Sequence, residues 1–272
     1  MKELTSACPE LASCLYEAEE VSSFLWQKGW AECNGGNLSV DVSKLIVANA
    51  PCLQAGEHVE LESSYPTLSG HYFLVTGSGR RFRDLSGNLG ENACIIKLDD
   101  DGSGYRYVWP EGKLNFHPTS ELPSHLSIHS YLQDKGKPQR IVLHTHPTEL
   151  IAMTHLPEYK DEDKLNPALW GMMPEVKVII PDGAGLAPYR CPGSEELAAE
   201  TIAAFERGHS VILWEMHGCL ATGETIMQAF DQIDTLNKAA TIFMHCLKCG
   251  HAPKGINSEQ LDELVEKFLK KG

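Results

Sequence analysis

The spacing of apolar residues along the chain changes between two periods, one typical of helices and the other of strands. Apolar residues three and four positions apart predict an amphipathic helix over residues 9–30, which stops at a glycine-rich turn. The same spacing predicts helices over residues 123–133, 147–155, 194–207, 226–247 and 258–269. The last of these helices begins at Ser258, whose hydroxyl suits an N-cap.

Alternating or short apolar runs predict strands over residues 38–42, 72–75, 93–98, 105–109, 139–145, 176–180 and 211–214. The segment Asp99-Asp100-Asp101-Gly102 connects two of these runs and is typical of a hairpin. This mixture of elements favours a central sheet covered by helices, in one α/β domain spanning residues 1–272.

Charge and cysteine usage narrow the class of protein. The formal net charge is −14, from 37 acidic and 23 basic residues, so we expect the surface to repel nucleic acid and anionic membranes. A phosphorylated ligand would then bind through neutral donors or a metal. Nine cysteines are an odd number, and no signal peptide or run of about 18 apolar residues accompanies them. We therefore expect reduced thiols and a cytoplasmic protein.

Histidines form two candidate metal sites. His144 and His146 lie two positions apart in a predicted strand, so both can point to one face, and His217 follows the strand over residues 211–214. Three imidazoles with room for a further ligand are typical of catalytic zinc. His125, His129 and His155 are competing candidates, since His125 and His129 lie four positions apart on a predicted helix and could bind a metal equally well. Spacing alone does not choose between the two sets.

Hydroxyl and glycine-rich segments are candidates for binding an anion. Thr119 and Ser120 precede the helix over residues 123–133, where a phosphate is favoured, and Glu121 lies beside them. Glu121 could equally complement the helix dipole. The turns Asn34-Gly35-Gly36-Asn37 and Thr76-Gly77-Ser78-Gly79 offer backbone N–H groups and side-chain donors without a formal positive charge.

Taken in order, several motifs resemble the class II aldolases. They are NGGNLSV at 34–40, TGSG at 76–79, TSELPSHL at 119–126, HTHPTELIAMTH at 144–155 and WEMHG at 214–218. Longer segments, such as SFLWQKGWAECNGGN and MQAFDQIDTLNKAA, extend the resemblance over about residues 20–250. It implies a mainly antiparallel sheet flanked by helices, a homotetramer and metal-dependent cleavage of a small phosphorylated ketose.

The resemblance also implies roles for individual residues. One Zn²⁺ per subunit would be held by His144, His146 and His217, which leaves His125 and His129 structural. Glu121 would be the acid/base carboxylate, and Glu175 would resemble a second acidic residue that reaches a neighbouring subunit's site, although a plain loop carboxylate is as good an interpretation. The implied phosphate ligands are Asn34, Gly35, Asn37, Thr76, Gly77, Ser78, Thr119 and Ser120. Cys33 stands where the family would have a basic residue, so we expect weaker phosphate binding.

Other functions share these motifs. Within the family, cleavage of an epimeric ketose phosphate or 4-epimerisation of a pentulose phosphate would use the same metal set. A metal-dependent dehydratase of a thiosugar phosphate would also use Lewis-acid chemistry. In a non-catalytic interaction module such as the adducin head, we would expect other residues in place of the metal ligands. Here the HTH and HG motifs are intact. Three imidazoles and a carboxylate also suit Co²⁺ or Fe²⁺.

Overall fold

The computed structural model describes residues 2–46, 56–112 and 114–269. Its helices are α1 Lys2–Ala7, α2 Pro9–Gln27, α3 Leu89–Asn92, α4 Leu122–Asp134, α5 Thr148–Thr154, α6 Glu162–Trp170, α7 Pro174–Ile179, α8 Glu195–Glu206, α9 Ile226–Lys248 and α10 Ser258–Phe268. Its strands are β1 Asn37–Asp41, β2 His58–Glu60, β3 Tyr72–Thr76, β4 Ala93–Leu98, β5 Gly104–Trp109, β6 Ile141–Thr145, β7 Ala184–Ala187, β8 Val211–Trp214 and β9 Gly218–Gly223. None of the described helices is long and apolar enough to span a membrane.

Helix ends follow local backbone chemistry. The helix predicted over residues 9–30 ends at Gln27, because Gly29 adopts a φ of +73° and the Trp30 N–H turns back to the Leu25 carbonyl. At the start of α10 the cap is Asn257 and not Ser258. The Asn257 side chain accepts from the Gln260 N–H, and the Gln260 side chain accepts from the Asn257 N–H.

The strand predicted over residues 176–180 is wrong, because this segment forms α7. Its β-branched residues suggested a strand, but Pro174 occupies the first helical turn, where proline is favoured. Val176 is buried, and the N–H of Ile180, the residue after the helix, donates to the Val176 carbonyl across 2.9 Å. The neighbouring strand is β7, whose sequence AGLA carries no β-branched residue and was not predicted.

The described chain divides into two compact units. The first comprises residues 1–145, 190–198 and 222–229. Its strands pair in the order β2-β5-β4-β3-β1-β6, each antiparallel to its neighbour. The hairpin predicted between β4 and β5 is present, and the expected mainly antiparallel sheet is confirmed.

Helix α4 packs on the sheet of the first unit through an apolar core. Leu122 and Leu126 of α4 join this core with Phe73 and Val75 of β3 and Ile96 of β4, all at most 7% exposed. Burial of such a side chain contributes about 1.5–3 kcal/mol, so these contacts hold α4 firmly against β3 and its neighbours. The position of α4 matters because Glu121 lies at its first turn.

The second unit comprises residues 146–189, 199–221 and 230–272. Here β8 pairs antiparallel with β9 and parallel with β7. Strand β8 was predicted, whereas β9, with the sequence GCLATG, was not. The turn between β8 and β9 contains His217, and Met216 in that turn adopts a φ of +57°.

Candidate active site and metal centre

Glu121, Asn37 and His144 meet in a buried cluster. Asn37 faces His144 across the β1–β6 pair, and its Nδ2 atom lies 2.7 Å from Oε2 of Glu121. The same carboxylate oxygen lies 3.8 Å from Nε2 of His144. Glu121 is 5% exposed and His144 1% exposed, so water does not screen these contacts. The structure therefore brings the predicted acid/base carboxylate next to a predicted metal ligand.

Three histidines form a candidate metal site. One potential ligand atom from each of His144, His146 and His217 lies within 4.8 Å of the other two. The rings of His146 and His217 have centroids 5.3 Å apart. Imidazole nitrogens are ligands that zinc prefers, and three of them leave a position for substrate. The donor set therefore fits one catalytic metal ion.

A tryptophan orients the His217 side chain. The ring of Trp214 stacks on the His217 imidazole with centroids 5.2 Å apart and an angle of 27° between the planes. Trp214 is itself fixed, because its Nε1 atom donates to Oγ1 of Thr201 across 2.8 Å. Contacts around a ligand histidine restrict the orientation of its ring. Sequence reasoning missed Trp214, although it lies only three residues before His217.

Hydrogen bonds fix the segment that carries His144 and His146, both between the two histidines and downstream of them. Between the two histidines, Thr145 Oγ1 donates to the Trp30 carbonyl across 2.6 Å, and both groups are buried. Downstream, Asn237 of α9 accepts from the Leu150 N–H and donates to Glu149, both in the first turn of α5. These contacts satisfy polar groups that would otherwise be costly to bury.

The three predicted phosphate segments lie together. The Thr119 N–H donates to the Thr76 carbonyl across 2.9 Å, and the Leu38 N–H donates to Oγ1 of Thr76 across 3.0 Å. Gly77 has no room for a side chain, since a Cβ atom there would lie 2.4 Å from the Phe116 ring. The turn over residues 76–79 is thus joined both to β1 and to the segment before α4.

Several of the expected backbone donors already have acceptors within the protein. The N–H groups of Gly35, Gly77 and Ser78 donate to the carbonyls of Glu32, Asn92 and His117. By contrast, the side chains of Asn34, Ser78 and Ser120 are exposed. Side-chain groups, more than backbone N–H groups, are therefore placed to contact an anion.

Glu175 and Cys33 lie at the surface. Glu175 is exposed in the first turn of α7, within the second unit, where the carboxylate complements the helix dipole. Cys33 is exposed at the turn before β1 and adopts a φ of +50°.

His125 and His129 do not belong to the three-histidine group and contact polar side chains. Both are at most 3% exposed, and each lies within 2.8 Å of Oγ of Ser39. Burial, with the neighbouring His129, lowers the pKa of His125 to about 3, and burial lowers the pKa of His129 to about 4. Both rings are therefore neutral near pH 7.

Comparison with known proteins shows which family this chain matches. A family model for the class II aldolase and adducin N-terminal domain matches residues 17–244. Rhamnulose-1-phosphate aldolase of Bacteroides thetaiotaomicron is 40% identical over 269 residues, 98% of this chain and 98% of that protein. Rhamnulose-1-phosphate aldolase of Mannheimia succiniciproducens is 36% identical over 248 residues, 90% of each chain.

A solved structure supports the same assignment. A sugar-phosphate aldolase from Thermotoga maritima is 30% identical, with a TM-score of 0.77, and covers 90% of this chain and 99% of its own. The match to the family model covers every motif on which the resemblance was based, and the resemblance is confirmed. The chain belongs to the class II aldolase and adducin N-terminal domain family.

Proposed function

We propose that this chain is a zinc-dependent aldolase that cleaves L-rhamnulose 1-phosphate to dihydroxyacetone phosphate and L-lactaldehyde. The observation that carries this proposal is the 40% identity to a rhamnulose-1-phosphate aldolase over 98% of both proteins. The intact set of three histidines, with Glu121 beside one of them, supports an enzyme over a non-catalytic module of the same family. The match to the family model runs through both compact units, which supports one functional domain.

The reaction requires two proton movements and one shift of an electron pair. When the C3–C4 bond breaks, its electron pair stays on C3 and delocalises onto the C2 carbonyl oxygen. The C4 hydroxyl loses a proton and becomes the aldehyde, while C3 gains a proton. One proton leaves and one arrives, so the overall reaction is balanced.

We assign the metal to His144, His146 and His217. Zn²⁺ held there would supply Lewis-acid stabilisation of the negative charge that develops on the substrate oxygen. The stacked Trp214 ring and the Thr145 hydrogen bond keep these imidazoles oriented. Because the proposed ligands are neutral imidazoles, they do not offset the charge of the cation.

We assign proton transfer at C3 to Glu121. Its carboxylate lies 3.8 Å from His144, so a substrate bound at the three histidines would lie within its reach. The Asn37 carboxamide donates to the Oε2 oxygen and so holds this carboxylate in place. General acid–base catalysis of this kind typically contributes about 10²–10⁴-fold.

We assign the substrate phosphate to the segments around Asn34, Gly35, Thr76, Gly77, Ser78, Thr119 and Ser120. The exposed side chains of Asn34, Ser78 and Ser120 are the proposed direct donors. Asn37 belongs to the same segments, but both ends of its carboxamide are engaged by Glu121 and His125, so we assign it to Glu121.

We propose a homotetramer in which Glu175 acts in a neighbouring subunit's site. This assignment rests on the family resemblance and on the exposure of Glu175 at the surface of the second unit. Light scattering of the purified protein measures the subunit number, and Glu175→Gln tests the role of the carboxylate. A monomer with full activity would contradict both parts.

The decisive experiment is a retro-aldol assay on L-rhamnulose 1-phosphate, coupled to detection of dihydroxyacetone phosphate. We expect activity that chelation abolishes and that zinc restores better than Co²⁺ or Fe²⁺. Activity that survives chelation would remove the metal from the proposal. Faster cleavage of L-fuculose 1-phosphate would keep the reaction and change the substrate.

A further inference from the structure

A row of polar side chains leads from Glu121 into the interior of the first unit. Glu121, His125 and His129 are four residues apart, so they share one face at the start and middle of α4. Asn37 and Ser39 are two residues apart on β1 and share the face of the strand toward that helix. All five side chains are at most 7% exposed.

These side chains form a continuous hydrogen-bond chain. Nε2 of His129 lies 2.8 Å from Oγ of Ser39, and Oγ of Ser39 lies 2.7 Å from Nδ1 of His125. Nε2 of His125 lies 2.5 Å from Oδ1 of Asn37. Nδ2 of Asn37 lies 2.7 Å from Oε2 of Glu121. Four hydrogen bonds therefore connect five buried groups.

The direction of every bond follows from the acceptor at the end. A carboxylate only accepts, so Asn37 presents its NH₂ group to Glu121 and its carbonyl oxygen to His125. His125 must then donate from Nε2, and its Nδ1 accepts from the Ser39 hydroxyl. Because Ser39 gives its single proton to His125, its oxygen accepts from Nε2 of His129. The chain has one consistent direction while Glu121 is ionised.

We propose that Ser39, His125 and His129 are positioning residues, which hold the Asn37 carboxamide with its NH₂ group toward the Glu121 carboxylate. The inference rests on the proposed function, because it matters for catalysis only if Glu121 transfers the proton. Ser39, His125 and His129 act through Asn37 and do not touch the substrate. The low pKa of His125 agrees with this arrangement, since this ring must keep Nδ1 unprotonated to accept from Ser39.

The Glu121 carboxylate favours this direction from one end of the hydrogen-bond chain, and the Ser39 hydroxyl supports it at His125. Loss of the hydroxyl would remove that second constraint. In Ser39→Ala, His125 has no donor at Nδ1 and is free to place its proton there. In the molecules that adopt this tautomer, the His125 Nε2 atom would accept from the Asn37 NH₂ group, and the carbonyl oxygen of Asn37 would face Glu121. Two acceptors facing each other repel, so the carboxylate would move from its position.

The kinetic test compares variants that interrupt the hydrogen-bond chain with variants that retain it. We expect Ser39→Ala to lower kcat about tenfold while KM changes less than about twofold, since Glu121 would be misplaced only for the chemical step. His129→Leu removes the N–H donor to Ser39, and we expect it to lower kcat by a similar factor to Ser39→Ala. His129→Gln keeps an N–H donor at similar reach and should restore kcat to within about threefold of wild type.

The matched control is Ser22→Ala. Ser22 is also buried, at 1% exposure, but its hydroxyl donates to the Ala18 carbonyl within α2. Its loss should leave kcat unchanged. Wild-type kcat in Ser39→Ala, or equal losses in His129→Gln and His129→Leu, would overturn the positioning role.

A spectroscopic measurement tests the direction without using activity. Histidine-selective ¹⁵N labelling and NMR distinguish protonated from unprotonated ring nitrogens, with His125→Gln and His129→Gln identifying the signals. We expect a protonated Nε2 on both rings and an unprotonated Nδ1 on His125. A protonated Nδ1 on His125 in the wild-type protein would overturn the proposal.

The two proposals can fail separately. If wild-type protein shows the expected ring protonation and cleaves no ketose phosphate, the proposed function fails, but the proposed direction of the hydrogen bonds stands. If wild-type protein cleaves L-rhamnulose 1-phosphate and Ser39→Ala retains its kcat, the positioning role fails and the proposed function stands.

Discussion

The backbone of Gly36 approaches the carbonyl oxygen of His144 so closely that a Cβ atom at position 36 would lie 2.8 Å from that oxygen. The Phe82 ring lies 2.7 Å from the same point, and Gly36 adopts a φ of +79°. The turn before β1 can therefore lie against a proposed metal ligand only because residue 36 has no side chain.

We predict that Gly36→Ala lowers the free energy of unfolding by about 2–4 kcal/mol, from the left-handed backbone and the crowding together. The matched variant is Gly29→Ala, because Gly29 has a φ of +73° and open space around it. Its expected cost is about 1–2 kcal/mol, from the left-handed backbone alone. Urea unfolding measures both values, and equal costs would show that the close approach to His144 has no energetic consequence.

Replacing Glu121 with Gln should lower kcat by about 10²–10⁴-fold. The amide retains an oxygen that accepts from Asn37 but cannot transfer a proton at C3. Zinc content, measured by mass spectrometry of the metal, should equal that of wild type. Glu91→Gln changes an exposed carboxylate of α3 and serves as the control for loss of charge. Full turnover by Glu121→Gln would remove this residue from the mechanism.

His217→Ala should weaken zinc binding by at least about 100-fold, as should His146→Ala. Each variant leaves two imidazoles, which are too few for a catalytic zinc site. Competition with a chromogenic chelator measures the affinity. His155→Ala removes an exposed histidine that does not belong to the three-histidine group and should leave the affinity unchanged. Retained affinity in His217→Ala would point to a different ligand set.

The buried histidines predict a loss of stability in acid. Burial lowers the pKa of His129 to about 4, whereas the unfolded chain protonates this residue near 6.5. As pH falls below about 6.5, the unfolded state binds a proton that the folded state does not, so the free energy of unfolding decreases. His129→Gln does not titrate, and its stability should fall less steeply between pH 6.5 and 5. Equal slopes for the two proteins would contradict this assignment.

For the pair formed by His71 and Asp41 we predict the opposite pH dependence, a contribution to the free energy of unfolding that is lost as pH rises. Nδ1 of His71 lies 2.8 Å from Oδ2 of Asp41, and this hydrogen bond raises the pKa of His71 against the effect of burial. Burial raises the pKa of Asp41, but hydrogen bonds from His71 and Ser43 outweigh it and lower that pKa to about 2. The contribution of His71 is complete below pH 6.5 and is lost as pH rises through its elevated pKa.

The stability difference between wild type and His71→Gln should therefore be larger at pH 5.5 than at pH 8.5. Thermal unfolding at the two values measures it. A difference that grows toward alkaline pH would show that the pair does not stabilise the fold through the charged imidazole.

Local sequence determined those features whose cause lies within a few residues. Regular apolar spacing located α2, α4, α9 and α10 to within a few positions, since each helix buries one face of its own sequence. The HTH motif and the strand before His217 were likewise recognisable, because alternation along a strand decides which side chains can converge. Helix ends were less accurate, because a cap depends on one backbone conformation such as that of Gly29.

Tertiary structure decided the rest. The run at 176–180 has the composition of a strand, yet it forms α7, which packs with α10 and α6. His125 and His129 could equally have clamped a metal, and only the position of Ser39 on β1 showed which groups they bond. The partner of a buried polar atom is set by whichever element packs over it, and those elements are distant in sequence. Such pairings have no signature in local spacing, so they became visible only in the folded chain.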